Sequence, residues 1–342
     1  MKLASFNDGT RDGCLTVVSR NLHCAIKADH IAPTLQAALD DWDYVSPQLE
    51  QLYNELNAGG SNRIFDLDMT QLMAPLPRAF QFADASAYLI HAELIRQARG
   101  EELPPGSKKD PLMYQGCADP FLGAREDIVA VSEAHGIDLE MEIGIITGDV
   151  PMGIERDKAA QHIRLLVLLN DISLRHLIPA ELSKGFGFFQ SKPPSAMSPV
   201  AVTPDELGDA WDGKRVHLPC RAWVNGTLLG EPNAGVDMQF NFPRLIAHAA
   251  QTRPLRAGCV IGSGTVSNRD RSTGAGCLFE RRAEEIIAHG EAQTSFLQFG
   301  DRIKIEMLDQ EGKSIFGAIE QQVVAQHTKT QPQDHEATSN AD

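Results

Sequence analysis

The chain has 342 residues, 42% of them hydrophobic and 23% charged, with a formal net charge of −15. That length suits one large domain plus a smaller one, and that composition is ordinary for a water-soluble globular enzyme. The negative balance disfavours nucleic-acid partners, whose phosphates it would repel, so an anionic substrate must be drawn in by a local cation or a metal.

No apolar run approaches the ~18 residues of a membrane span. The first residues, Met1 to Asp8, turn polar at once and carry no signal-peptide core. Six scattered cysteines without a CxxC pair read as reduced, mostly buried thiols of a cytoplasmic protein.

Residues 3–29 read as short strands, with Leu3–Phe6 and Cys14–Val18 flanking an Asp- and Gly-rich turn. A helical stripe follows over 34–56, through Leu35, Leu39, Trp42, Leu49, Leu52, Tyr53 and Leu56, and stops at Asn57-Ala58-Gly59-Gly60. Residues 1–72 are therefore expected to form a small β-plus-helix N-terminal domain without catalytic groups. Pro75-Leu76-Pro77 marks the boundary.

The segment from Phe80 reads as a helix running through His91, Leu94, Ile95 and Ala98, with Asp84 near its N-cap and His91 two turns further along one face. Residues 100–127 read as a long loop of the kind that serves as a lid. Asp138 to Thr147 alternates with the period of a strand, so Glu140 and Glu142 point together, away from Met141, Ile143 and Ile145. Two like-facing carboxylates in apolar surroundings repel unless a cation, a proton or an Arg sits between them, and a hard divalent cation, magnesium or calcium, is the simplest resolution for oxygen ligands. The local alternative is a solvated strand face.

Arg156–Asn170 reads as a helix with Ala159, Ile163, Leu166, Val167 and Asn170 inward. Asp171 then falls at its C-terminal end, where the helix dipole disfavours an acid. Gly185 to Pro194 is a Gly- and Phe-rich loop with no nucleotide-binding motif. Residues 199–235 read as strands, with Asn225-Gly226 as a hairpin turn. A helix is expected over 242–252, strands at 260–266, 302–308 and 315–324, and a disordered polar tail over 326–342.

Asp84, His91, Glu140-x-Glu142, Leu169-Asn170-Asp171, Lys192 before Ser198-Pro199, Ser263-Gly264-Thr265 and Glu280 stand in that order. Together they resemble the fumarylacetoacetate hydrolase family over about residues 72–325. The resemblance implies a strand-dominated α+β fold: a mixed β-roll catalytic domain over 73–325 behind a small SH3-like N-terminal domain. It implies Mg2+ or Ca2+ held by Asp84, Glu140, Glu142 and Asp171, His91 as general base oriented by Glu280, and Lys192 supporting developing charge. Tyr114, Gly264 and Thr265 would contact substrate. The implied reaction is hydrolysis of a 1,3-diketone acid, first of all 4-fumarylacetoacetate to fumarate and acetoacetate, the last step of tyrosine breakdown, in a cytoplasmic homodimer. Same-fold lyases (2-oxo acid decarboxylase or 2-oxopent-4-enoate hydratase), an acylpyruvate hydrolase and a non-catalytic metal-binding scaffold are the alternatives.

The chain departs from that pattern in three places. Ile178 and Leu182 stand where a Gln and a Tyr are expected, with Gln190 as the nearby amide that could replace them. Arg99 matches the lid arginine loosely, and the interval from Thr265 to Glu280 is longer than the pattern. Read singly, Asp84 is a helix cap, Asp171 a loop acid, Tyr114 a packing residue, Lys192 a surface lysine and Glu280 an exposed partner of Arg281 or Arg282.

Overall fold

The computed structural model describes residues 1–60 and 62–326. The polar tail expected from 326 onward lies, but for that first residue, outside the described residues.

The N-terminal strands form where expected: β1 (Lys2–Phe6), β2 (Cys14–Val18) and β3 (Cys24–Lys27), followed by a short β4 (Phe65–Asp66). The single helix expected over 34–56 is two, α1 (Leu35–Asp40) and α2 (Trp42–Asn57), broken at Asp41, whose φ of −129° is not helical.

Two expectations near the acids are overturned. Asp84 caps no helix: it sits in β5 (Gln81–Ala85), and His91 lies separately on α3 (Leu89–Ala98). The reason is register, because β5 runs parallel to β16 (Cys259–Gly262), with Asp84 opposite Gly262. The apolar run after Arg156 is also mostly strand. After one turn, α4 (Arg156–Ala159), it becomes β10 (Ile163–Asn170). Alternate residues of β10 enter two different cores, Leu166 and Leu168 one, Leu165, Val167 and Leu169 the other. A strand buried on both faces shows a continuous apolar run that helical periodicity also fits. Asp171 therefore follows a strand, and the helix-dipole argument about it falls away.

The remaining elements in chain order are β6 (Met113–Gln115), β7 (Ile128–Ala130), β8 (Ile137–Asp138), β9 (Met141–Thr147), β11 (Ser173–Leu174), α5 (Ile178–Leu182), β12 (Ala196–Met197), β13 (Ala201–Val202), β14 (Cys220–Val224) and β15 (Thr227–Gly230). Then come α6 (Phe242–Ala249), α7 (Leu278–His289), β17 (Arg302–Met307) and β18 (Ile319–Ala325). The turn between β14 and β15 has φ of +50° at Asn225 and +78° at Gly226. Positive φ at both central residues is what a type I′ hairpin turn requires.

An eleven-stranded mixed sheet runs in the order β4-β3-β2-β1-β13-β10-β9-β16-β5-β6, with β12 also paired to β10. The N-terminal strands thus continue the main sheet through the β1–β13 pair. A second sheet has the order β15-β14-β17-β18-β7. One core joins α1 and α2 to one face of the long sheet; the other lies between its opposite face, the second sheet and α6. The architecture is strand-dominated α+β with mixed sheets. Among the described residues no helix is long and apolar enough to cross a membrane, and the six cysteines form no disulfide.

Candidate active site

Three strand ends bring the acids together. In β9, Met141, Ile143 and Ile145 enter one core, so Glu140 and Glu142 point the other way, as strand alternation demands. β10 pairs antiparallel with β9, and the Asp171 amide just beyond it donates to the Glu140 carbonyl at 3.0 Å. β16 lies between β9 and β5 and places Gly262 across from both Gly144 and Asp84. A side chain at Gly262 would put its Cβ 2.3 Å from Asp84 Oδ1 and 3.0 Å from Glu142 Oε2. Glycine there lets the two carboxylates approach.

Asp84, Glu142 and Asp171 are all buried, and one oxygen of each lies within 4.8 Å of the others. The Gly264 amide donates to Asp84 Oδ1 and to Glu142 Oε2, both at 3.1 Å. Gly264 has a φ of +75°, and a Cβ there would meet the Ala85 carbonyl oxygen at 2.2 Å, so only glycine is accommodated. Asp171 Oδ1 accepts from Ser195 Oγ at 2.5 Å, and its Oδ2 accepts from Tyr114 at 2.5 Å and Lys192 Nζ at 2.6 Å.

Glu140 stands apart from that trio. Its Oε1 accepts from Arg175 Nη2 at 2.7 Å and its Oε2 from Lys192 Nζ at 2.7 Å. Burial opposes its charge, but Arg175 and Lys192 outweigh it and hold its carboxyl below the usual range. Burial also opposes the charge of Lys192, yet Asp171 and Glu140 hold the ammonium above its ordinary value. Lys192 is thus a buried ion-pair centre; a third bond, 2.7 Å to Ser173 Oγ, completes its donors.

The remaining acids lack such compensation. Asp84 is pushed up to about 8, first by burial and then by the charge of Asp171. Glu142 is raised well above the ordinary range, again by burial and then by Asp84. Its Oε1 is buried with no hydrogen-bond partner. Five carboxylates (Asp84, Asp138, Glu140, Glu142 and Asp171) are buried here against the cations Lys192 and Arg175. An orphaned carboxylate oxygen in a buried cluster where five carboxylates meet only two cations fits a hard divalent cation. Asp84, Glu142 and Asp171 would hold it, with Glu140 the neighbouring oxygen donor.

The second constellation is the His91–Glu280 pair, 3.0 Å from Nδ1 to Oε1. α3 packs against α7, and α7 carries Glu280 in its first turn. Glu280 is fully buried, and its Oε2 accepts from the Gly276 amide at 2.8 Å. Burial raises its carboxyl, but the His91 hydrogen bond and charge, with the nearby Arg271, more than offset that and leave it lowered. An ionised carboxylate accepts only, so His91 donates from Nδ1, and Nε2 is the ring nitrogen that Glu280 leaves unengaged. Gly276, whose amide binds Glu280, accepts with its carbonyl from the Met141 amide at 3.0 Å, between Glu140 and Glu142, so one residue links the dyad to the strand that carries those acids.

Tyr114, expected to meet substrate, donates to Asp171 and stacks edge-on against Phe188 with ring centroids 4.9 Å apart. Burial and then Asp171 raise its phenol well above its usual value, so it stays protonated. Thr265 is beside the cluster with a buried, unpartnered Oγ1. Ile178 and Leu182 lie on α5 and offer no hydrogen bond. Gln190 is exposed, and its backbone amide is held 2.6 Å from Glu181 Oε1. Glu181 also accepts from the Phe189 and Ser191 amides and from Ser191 Oγ, which closes the Phe-rich loop just before Lys192.

Sequence reasoning missed Asp138 as a site residue, and Arg175, Ser173 and Ser195 altogether. Arg175 has no local signal, since its partners Asp138 and Glu140 lie 37 and 35 residues away.

Comparison with known proteins bears on the family and the fold. A segment of 159 residues, 46% of this chain, is 28% identical to 2,4-didehydro-3-deoxy-L-rhamnonate hydrolase of Sphingomonas sp. (strain SKA58); it spans 53% of that protein, about half its length. Oxaloacetate tautomerase YisK of Bacillus subtilis is 24% identical over 245 residues, 71% of each chain. The structure of maleylpyruvate hydrolase from Sphingobium sp. SYK-6 with manganese(II) and pyruvate superposes with a TM-score of 0.64 at 17% identity, covering 96% of this chain and 100% of that one. Fumarylacetoacetate hydrolase from Exiguobacterium antarcticum gives 0.61 at 20% identity, covering 95% and 100%. At such identities the two structures speak for the fold. The sequence pattern described as fumarylacetoacetate hydrolase C-terminal matches residues 81–324, and that of fumarylacetoacetase N-terminal domain 2 matches 1–78. The chain belongs to the fumarylacetoacetate hydrolase family.

Proposed function

We propose that this protein is a divalent-metal-dependent hydrolase of a carbon–carbon bond in a 1,3-diketone acid, with 4-fumarylacetoacetate as the first substrate to try. The observation that carries the reading is the buried trio Asp84, Glu142 and Asp171 together with the His91–Glu280 dyad, which Gly276 ties to the strand of Glu142. Mg2+ or Ca2+ in that cluster, a homodimer and a cytoplasmic location belong to the same proposal.

His91 Nε2 takes a proton from water, whose oxygen bonds to one carbonyl carbon of the diketone. Glu280 fixes the imidazole tautomer and stabilises the imidazolium that forms. The bond between that carbonyl carbon and the central carbon then breaks, and its electron pair leaves on the other fragment as an enolate. His91 returns the proton to that carbon, giving a carboxylic acid and a ketone. A divalent cation bound by the acids would polarise the diketone oxygens and offset the enolate's charge. The Lys192 ammonium adds a fixed positive charge next to the cluster.

A second reading is favoured by the apolar Ile178 and Leu182 on α5 and by the YisK likeness. It is tautomerisation of a 2-oxo acid, in which the same base moves a proton between carbon and oxygen and no water is consumed.

The test is loss of the ultraviolet absorbance of fumarylacetoacetate, with and without EDTA, beside His91→Ala. Rapid loss that needs both metal and His91 supports the first reading. No loss with folded, metal-loaded protein removes that substrate. Cleavage of acylpyruvates would then keep the reaction class, and turnover of oxaloacetate enol alone would replace it by the second reading.

A further inference from the structure

Asp138 is fully buried and belongs to neither the acid trio nor the dyad. Its Oδ1 accepts from the Leu278 amide at 2.9 Å, and its Oδ2 accepts from the Phe279 amide at 3.0 Å and from Arg175 Nε at 2.8 Å. Leu278 and Phe279 are the first two residues of α7. Their N–H groups have no partner within the helix and need one from outside. The ordinary cap is already spent: Cys277, the N-cap, uses its Sγ to accept from the third amide, that of Glu280, at 3.4 Å. Asp138 therefore caps α7 from a strand 140 residues away in sequence.

The same carboxylate orients Arg175. With Nε fixed by Asp138, Nη2 reaches Glu140, and the guanidinium lies over the Phe279 ring at 4.9 Å. Glu140 leads through Lys192 to Asp171. One side chain thus touches the helix end that carries Glu280 and the arginine that orders the acids.

We propose that Asp138 is a positioning residue that sets the dyad and the acid cluster in register: it fixes α7, and so Glu280 against His91, while Arg175 carries its hold to Glu140. The catalytic side of this role rests on the hydrolase reading; the geometric side does not. A general base is sensitive to displacements of about 1 Å, which cost on the order of 100-fold in rate.

The test uses the full-length protein and three variants, loaded with diamagnetic Mg2+ for NMR and metal-free for titration with Mn2+. Asp138→Asn keeps the shape but loses the charge and one acceptor. Arg175→Lys breaks the bridge to Glu140 and leaves the α7 cap in place. Leu278→Pro deletes one capped amide at a helix position that tolerates proline, and the extended Cys277 (φ −154°, ψ 165°) suits a following proline. The first readout is the downfield proton NMR signal of the His91 Nδ1–H bonded to Glu280, identified by its loss in Glu280→Gln. The second is Mn2+ affinity by calorimetry.

Asp138→Asn is expected to shift or lose the His91 signal and to weaken Mn2+ at least fivefold. Arg175→Lys should weaken Mn2+ alone, and Leu278→Pro should move the His91 signal alone. Where a diketone is turned over, Asp138→Asn should lower kcat at least tenfold with KM within threefold. An Asp138→Asn protein that melts earlier but keeps the His91 signal and the Mn2+ affinity would overturn the proposal. Should that variant not fold, an unmoved His91 signal in Leu278→Pro overturns it instead. Failure of every diketone would count against the hydrolase reading and leave both physical readouts standing.

Discussion

His91 Nδ1 and Glu280 Oε1 lie 3.0 Å apart across 189 residues of sequence. The carboxylate is fully buried and the imidazole partly exposed, with side-chain exposures of 0% and 17%. The pair therefore has one anchored member and one partly open to solvent. Glu280→Gln keeps the volume and removes the charge, so it should lower kcat by about 100-fold or more, within the usual range for general-base catalysis. KM should move little, and steady-state kinetics on the accepted diketone checks both. Because Glu280 is lowered below its ordinary value of 4.5, its folded-state stabilisation is present above that value and is lost as pH falls through the lower folded one.

Asp84 and Glu142 predict the opposite pH trend for the metal-free protein. Asp84 moves up from 3.8 to about 8, and Glu142 also moves up. A raised carboxyl contributes stability that is fully present below its unfolded value and is lost as pH rises through the folded one. The melting temperature of EDTA-treated protein should therefore fall between about pH 4 and 8. A divalent cation at a hundredfold over its Kd adds ~2.7 kcal/mol, so it should restore the loss at pH 8 and do less at pH 5. Melting curves with and without Mg2+, Ca2+ and Mn2+ decide this; curves that ignore the cation at both pH values would argue against a metal site.

Lys192 is expected to behave as a buried ion-pair centre. Lys192→Met leaves Glu140 and Asp171 each without a cation they now share. Breaking a buried pair on one side costs about 3–5 kcal/mol, so the variant should melt markedly earlier than wild type. A surface lysine at this position would leave the melt unchanged.

Gly262→Ala tests the close approach of the acids. The added Cβ would stand 2.3 Å from Asp84 Oδ1, and that carboxylate must move. Cation affinity should drop at least tenfold, about 1.4 kcal/mol, while far-ultraviolet circular dichroism stays that of the folded protein. Unchanged affinity by calorimetry would place the cation away from Asp84.

Local chemistry determined a good part of this protein by itself. The alternation from Asp138 to Thr147 puts Glu140 and Glu142 on one side because strand side chains have a period of two. Asn225-Gly226 makes its turn because those residues tolerate positive φ. The ordered set from Asp84 to Glu280 pointed to the family. Tertiary structure decided the rest. Ile163–Leu169 is apolar at nearly every position, so its own sequence fits a helix or a strand, and pairing to β9 with a core on each face makes it a strand. Asp84 is in a strand because β16 pairs with it, not because of anything nearby in the chain. Asp138 and Arg175 look like ordinary charges until folding takes them out of water, where each must find its partner and the partners lie far away in sequence.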